Sequence, residues 1–335
     1  MERPRTAPIR TLVAAALLAA AAVTGCSNTS TSSNASASDL QSAAPVPTPQ
    51  AASITGLRLP ISRYMPSADE LALSRRLRTL LVRDCLRRYD AELSDAFGEV
   101  MQTRQVSIDP LNMARRYGLG RIDDARRYGY RPPPARGSEE GTQRDPAALF
   151  RAYSPEQRIL LAGAPGRKRG AGDSSGSISY RGQSIPRGGC YGEADRWLAN
   201  SGSMASAAGG VVSTIESRAL NQAREDPRVI EATVRWSSCM KKQGYQYRDP
   251  YEAAGDTARW RPETRPRASS DEISTALADM RCKEKTNLLG VWFAVESQYE
   301  NGLIRQHASE LAAVKRQLSA EAEIRQKLSD KYKIS

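Results

Sequence analysis

The sequence predicts a mainly α protein: an irregular helical domain with a long C-terminal helix, two disulfides and little or no β-structure. Apolar residues recur at helical spacing in several long stretches, and no run of four or more residues shows convincing β-alternation. Helix-start signals, such as Ser67 with Glu70 and Asp226 before Pro227, precede these stretches. Four cysteines lie in the body of the chain, and this even number can form two disulfides.

The first long helix is predicted from residue 68 to about 91, with an extension to 104 left open. Ser67 and Glu70 form a capping box before it, and leucines follow at helical spacing. The opposite face is mostly arginine and is interpreted as a solvated surface. Further helical stretches are expected at 109–118, 123–130 and 154–162. One more begins at Cys190, another ends at about Ala223, and the next covers 226–244. Loops are expected at 164–189 and 245–267, the second with a short turn at Pro250–Ala254.

The longest helix is predicted from 271 to about 330, behind a start signal at Ser269 and Glu272. Unbroken, it would be about 90 Å long at 1.5 Å per residue. Gly290 and Gly302 are the positions where we expect any bend.

The N-terminus carries a different pattern. The apolar run Leu12–Val23 has 12 residues, which suits a signal peptide and is too short for a membrane span of roughly 20 residues. It follows three arginines and ends in Val23-Thr24-Gly25-Cys26. This pattern resembles the signal peptide and lipobox of bacterial lipoproteins of the actinomycete type. The resemblance implies that Val23, Thr24 and Gly25 form the lipobox, that the Cys26 thiol receives a diacylglycerol, and that the chain is cut just before Cys26.

The predicted domain organisation follows from that cleavage. Residues 1–25 would be the signal peptide, and residues 26–56 the acylated cysteine with a Ser/Thr/Pro-rich tether. Residues 57–335 would form the helical domain on the outer face of the cell membrane. A division of that domain into halves, 57–225 and 226–335, is left open.

The cysteines Cys85, Cys190, Cys239 and Cys282 allow three pairings, and export favours disulfides. We prefer Cys85–Cys190 with Cys239–Cys282. The reason is a short internal repetition, because Cys85-Leu-Arg-Arg resembles Cys239-Met-Lys-Lys and each lies late in an amphipathic stretch. No two cysteines are close in sequence and His307 is the one histidine, so neither a metal site nor a cofactor is expected.

The chain is basic. Its formal charge is +12, and removing residues 1–25 takes away three arginines and Glu2, which leaves +10. Arginine and tyrosine cluster in 111–136, a composition common at recognition surfaces. The candidate binding patch consists of Arg115, Arg116, Tyr117, Arg126, Arg127, Tyr128 and Tyr130. Anionic lipid, anionic cell-wall polymer or envelope proteins would be its partners, and nucleic acid is not expected for an exported chain. The alternative is that the tyrosines cover a small core between two short helices.

Two motifs resemble catalytic ones. Gly172-Asp173-Ser174-Ser175-Gly176 matches G-x-S-x-G but has loop on both flanks instead of a strand and a helix. Ser238 and Lys241 have S-x-x-K spacing without the other elements of that site. No catalytic residue is therefore assigned, and a non-enzymatic binding or scaffolding role in the envelope is expected. The alternatives are a solute-binding lipoprotein of a transporter, which would need βα alternation that is missing here, or an envelope hydrolase.

Overall fold

A computed structural model describes residues 47–98, 109–133, 146–164, 179–199, 210–262, 264 and 267–334. The signal peptide, lipobox and Cys26 lie outside these residues. A 3₁₀ helix at Pro60–Tyr64 precedes the first α-helix. The α-helices, in chain order, are α1 Ala68–Arg87, α2 Met113–Arg116, α3 Ile122–Tyr128, α4 Pro146–Arg151, α5 Pro155–Ala162, α6 Gly189–Ala199, α7 Val211–Glu225, α8 Pro227–Lys242, α9 Pro250–Ala254, α10 Thr257–Trp260, α11 Ser270–Thr286, α12 Leu288–Gln306 and α13 Ala308–Tyr332.

The mainly α fold class is confirmed. The β-structure of the described residues is one antiparallel hairpin, β1 Ser179–Tyr180 and β2 Gln183–Ser184, in the segment predicted as a loop. Both predicted disulfides are also confirmed. Cys85 bonds to Cys190 and joins α1 to α6, and Cys239 bonds to Cys282 and joins α8 to α11.

Helix starts follow the capping signals. The side chain of Ser67 accepts from the Glu70 backbone N–H, and the Glu70 carboxylate accepts from Ser67 N–H at 2.8 Å. Asp226 caps α8 and Ser269 caps α11 in the same way, through their side-chain oxygens. Each of these caps satisfies backbone donors that the first turn of a helix leaves without a partner.

Several helices are shorter than predicted. The chain turns out of α1 after Arg87, where Asp90 adopts φ 49° and Ala91 N–H donates to Leu86 O. Helix α2 covers only Met113–Arg116, and the expected cap Asp109 instead accepts from the Ala114 N–H at 3.1 Å.

The long C-terminal helix is confirmed as α13, but the single helix predicted from 271 to about 330 is divided. It is three helices, α11, α12 and α13, with breaks at Asn287 and His307. Asn287 adopts φ 50°, its Oδ1 accepts from Ala51 N–H at 2.9 Å, and its Nδ2 donates to Pro49 O at 3.0 Å. Gly290 lies inside α12, where an added Cβ would stand 1.9 Å from Pro49 O. The break therefore accommodates the segment 49–51, here called the crossing segment. Gly290 permits the close approach of this segment instead of a bend in the helix.

That crossing segment also corrects the predicted tether. Ala51 and Ile54 are buried in the larger core, and Ile54 N–H donates to Gly120 O at 3.0 Å. The folded domain thus begins before residue 57. The remainder of the tether, 26–46, lies outside the described residues.

The described residues form two hydrophobic cores. Helix α12 is central to the larger one, with 14 of its 19 residues buried, and it packs against α7, α8 and the 3₁₀ helix. The smaller core joins α1, α5, α6 and the end of α13. Helix α13 contributes Leu311 to the larger core and Leu328 to the smaller one. The cores interleave along the chain, so the suggested halves 57–225 and 226–335 do not correspond to them.

Among the described residues, no helix is long and apolar enough to cross a membrane. The two disulfides indicate an oxidising, extracytoplasmic compartment.

Candidate functional site

The predicted Arg/Tyr patch is divided between the interior and the surface. Arg116, Tyr117 and Tyr130 are buried, so including them in an exposed patch was wrong. The Arg116 guanidinium donates to Glu296 through Nε at 2.8 Å and pairs with Glu216 at 2.6 Å. Tyr117 Oη donates to Glu296 Oε2 at 2.8 Å. Their polar atoms are directed inward because buried carboxylates require partners.

The other patch residues lie closer to the solvent. Arg115 is half-buried and donates to Tyr130 O at 2.7 Å. Arg126 and Arg127 are exposed on α3, where Arg126 pairs with Asp123 at 2.9 Å, and Tyr128 is half-buried. The exposed basic surface of the patch is therefore reduced to two arginines.

Tyr117 and Tyr130 are core residues, but they belong to the larger core and not to a small core between two short helices. Tyr117 stacks on Trp292 with ring centroids 5.2 Å apart, and Tyr130 packs against Trp260 at 5.5 Å. These contacts belong to the larger core and are not available to a ligand on the surface.

Carboxylic acids lie at the centre of that core. Burial raises the pKa of Glu296, although Arg116 opposes the shift. Burial also raises the pKa of Glu300 to about 8, and the nearby Glu296 adds to that shift. Glu300 Oε2 accepts from Ile61 N–H at 2.8 Å and so holds the 3₁₀ helix on α12. Both acids have zero exposure, so a substrate would reach them only if the core opened.

A second buried pair joins α11 to the loop before α3. Lys283 Nζ lies 3.1 Å from Asp279 Oδ2 and donates to Leu119 O at 2.7 Å. Trp236 Nε1 donates to Asp279 Oδ1 at 2.9 Å. Burial raises the pKa of Asp279 and lowers that of Lys283. With partners on both members, the pair is interpreted as part of the framework of the core.

The smaller core has a groove at its surface, between α1, α6 and the end of α13. Its volume is about 280 Å³, which is near the lower end of ligand-sized sites. Leu81, Leu328 and the Cys85 side of the disulfide supply the apolar lining. The polar and aromatic lining residues are Asp84, Arg88, Glu193, Trp197 and Lys331.

Two ion pairs cross this groove. Arg88 pairs with Glu193 at 2.5 Å, and Lys331 pairs with Asp84 at 3.3 Å. Burial raises the pKa of Asp84, but hydrogen bonds from Tyr332 and Lys331 outweigh it and the net shift is downward. Two cations face two anions, so the lining carries no net charge.

Trp197 is the aromatic residue of the groove. It is 55% exposed, whereas Trp236, Trp260 and Trp292 are at most 3% exposed. It stands one helical turn after Glu193 on α6. The helical stretch predicted after Cys190 contains Trp197, but no local pattern indicates a role for it, because its neighbours on α1 and α13 are distant in sequence.

The catalytic-looking motifs gain no support. Residues 172–176 lie outside the described residues. Ser238 and Lys241 are both exposed on α8, and Cys239 between them is in a disulfide. His307 contacts Glu310 at 2.9 Å on the first turn of α13. Within the described ranges, no group of three or more His, Cys, Asp or Glu residues could hold a metal ion.

A scan against protein-family models, a search of the curated proteins and a search of the solved structures each found no match to this chain. What the chain does must therefore be inferred from its own residues.

Proposed function

We propose that this chain is a bacterial lipoprotein, held by a lipid on Cys26 at the outer face of the cell membrane, with a non-enzymatic binding or scaffolding role in the envelope. The observation that carries the proposal is the pair of disulfides, Cys85–Cys190 and Cys239–Cys282. They indicate an oxidising compartment, which agrees with the export signal inferred from Leu12–Cys26.

The lipid anchor is favoured over simple secretion because the small residues of the signal end directly before a cysteine. Two acyl chains on that cysteine would hold firmly, since each buried CH₂ contributes roughly 0.8 kcal/mol and one chain alone is marginal. Binding is favoured over catalysis because Glu296, Asp279 and Lys283, whose pKa values are shifted, are buried and paired inside the larger core.

The anchor is tested by Cys26→Ala. Cells expressing either chain are fed a fatty-acid analogue that can be labelled, and membranes are separated from the soluble fraction. The unsubstituted chain should carry label and sediment with membranes, whereas the variant should carry none. A labelled, membrane-bound Cys26→Ala variant would show that the lipid is elsewhere or that another feature holds the protein.

Anionic lipid or wall polymer is proposed as a partner of the basic surface. The exposed pair Arg126 and Arg127 is the part of the predicted patch that can make such a contact. Arg126→Gln with Arg127→Gln should reduce sedimentation with anionic liposomes, because two positive charges are removed. The assay is run at low salt, since exposed charges are screened beyond about 10 Å at 0.1 M. The matched control is Lys241→Gln with Lys242→Gln, an adjacent exposed pair on α8. Equal losses would mean that only the diffuse charge of the chain contributes.

A further inference from the structure

The groove beside Cys85–Cys190 combines two features. One is the exposed indole of Trp197, and the other is a lining with charged donors and acceptors on both sides. A single exposed apolar side chain is ordinary. An indole that lines the same groove as Leu81 and Leu328 is placed to contact a ligand.

The charges of the groove limit the kind of ligand. Arg88 with Glu193, and Lys331 with Asp84, already neutralise each other. A purely apolar ligand would remove both pairs from water without replacing their hydration, which is costly. An anionic ligand would be repelled by Asp84 and Glu193 while it is attracted by Arg88 and Lys331, and a cationic ligand would meet the reverse balance, so this lining favours neither sign of charge. The favoured ligand is uncharged and carries groups that both donate and accept hydrogen bonds.

We propose that this groove binds an uncharged sugar unit, with one face of the ring packed on Trp197. A sugar ring presents C–H groups on its face, which suit the apolar face of an indole. Its hydroxyl groups both donate and accept, so they can bond to the carboxylates of Asp84 and Glu193 and to the cations of Arg88 and Lys331. The small volume fits one unit of a longer glycan. The proposal rests on the envelope function in one respect, because the envelope is where the protein would encounter such a glycan.

Trp197 provides the measurement, because the other tryptophans of the chain are buried. The full chain, in a detergent whose headgroup is not a sugar, is titrated with cellotriose, maltotriose and chitotriose while tryptophan emission is recorded. At least one of these neutral probes should give a saturable change in emission. The affinity should be the same at low and physiological salt, since no charge is neutralised on binding.

Variants locate the site. Trp197→Ala should weaken binding, measured by calorimetry, about tenfold or more, as expected for loss of a large aromatic contact. Glu193→Gln with Arg88→Gln should also weaken it, because charge-assisted hydrogen bonds to the hydroxyls are lost. The control is Val234→Ala, an exposed apolar residue on α8, which should leave the affinity unchanged. Circular dichroism checks that each variant is folded.

Three results would overturn the proposal. The first is that none of the three neutral probes gives a saturable change in emission. The second is that trigalacturonate binds in place of the neutral probes and that its binding weakens with salt, and the third is that neutral binding survives Trp197→Ala unchanged. The titration is repeated on the full chain with Cys26→Ala. Sugar binding by that variant would support the groove even if lipidation fails, so the two proposals can fail separately.

Discussion

Glu300 shows how a buried carboxyl group links protonation to the fold at the scale of a single residue. It has zero exposure, and burial raises its pKa to about 8 from an ordinary 4.5. The folded chain therefore keeps a proton that the unfolded chain releases between these values. The resulting stability is fully present below pH 4.5 and is lost as the pH rises through about 8.

Glu300→Gln should remove this dependence, because an amide stays neutral and can still accept from Ile61 N–H. The free energy of unfolding of the variant, relative to the unsubstituted chain, should rise between pH 6 and pH 9 by on the order of 2 kcal/mol. Denaturant unfolding at the two pH values measures it. The control is Glu323→Gln, on the exposed face of α13. Its difference in free energy of unfolding from the unsubstituted chain should be the same at both pH values. A constant difference for Glu300→Gln would contradict the buried acid.

At the residue scale, the sequence predicts the disulfide cysteines but not the buried charges. The predicted disulfide pairing is confirmed, and it rested on the short repetition around Cys85 and Cys239. Arg116 was assigned to a binding patch because arginine and tyrosine cluster in 111–136, a composition common at recognition surfaces. Its burial depends on Glu296 and Glu216, which are 180 and 100 residues away. No local pattern contains that information.

At the scale of elements, the junction of α11 and α12 depends on a segment from the other end of the domain. Pro49 O receives a hydrogen bond from Asn287 Nδ2 and lies against Gly290. Helix periodicity alone favours continuation through this position, which explains why the sequence predicted one long helix. The caps at Ser67, Asp226 and Ser269 were predictable because their partners lie within three residues.

Gly290→Ala tests this junction. Alanine favours a helix over glycine by about 1 kcal/mol, so a stabilised variant is expected if nothing crosses α12. The contact with Pro49 predicts instead a loss of about 1–3 kcal/mol from overpacking, measured by denaturant unfolding.

A double-mutant cycle isolates the cause of that loss. Deleting residues 1–50 should destabilise the unsubstituted chain, because the hydrogen bond from Asn287 Nδ2 to Pro49 O is lost. The same deletion should cost much less in the Gly290→Ala background, since the crossing segment is already displaced. Additive losses would show that Gly290 matters for another reason.

At the scale of the whole molecule, two interleaved cores are joined by α13 and stapled by one disulfide each. The fold class and the disulfides followed from helical periodicity and the cysteine count. The interleaving did not, because it is set by contacts such as Leu328 with the core around Cys85. The groove arises at this scale, since α1, α6 and α13 supply one part each.

We propose that the disulfide-bonded helical domain is held in the envelope by a lipid on Cys26. Mass spectrometry of the unreduced, digested protein from membranes tests it most directly. The account predicts an N-terminal peptide that begins at Cys26 and carries a diacylglycerol, together with linked peptides for Cys85–Cys190 and Cys239–Cys282. An unmodified Cys26 within a peptide that continues upstream, or free thiols at the four other cysteines, would contradict it.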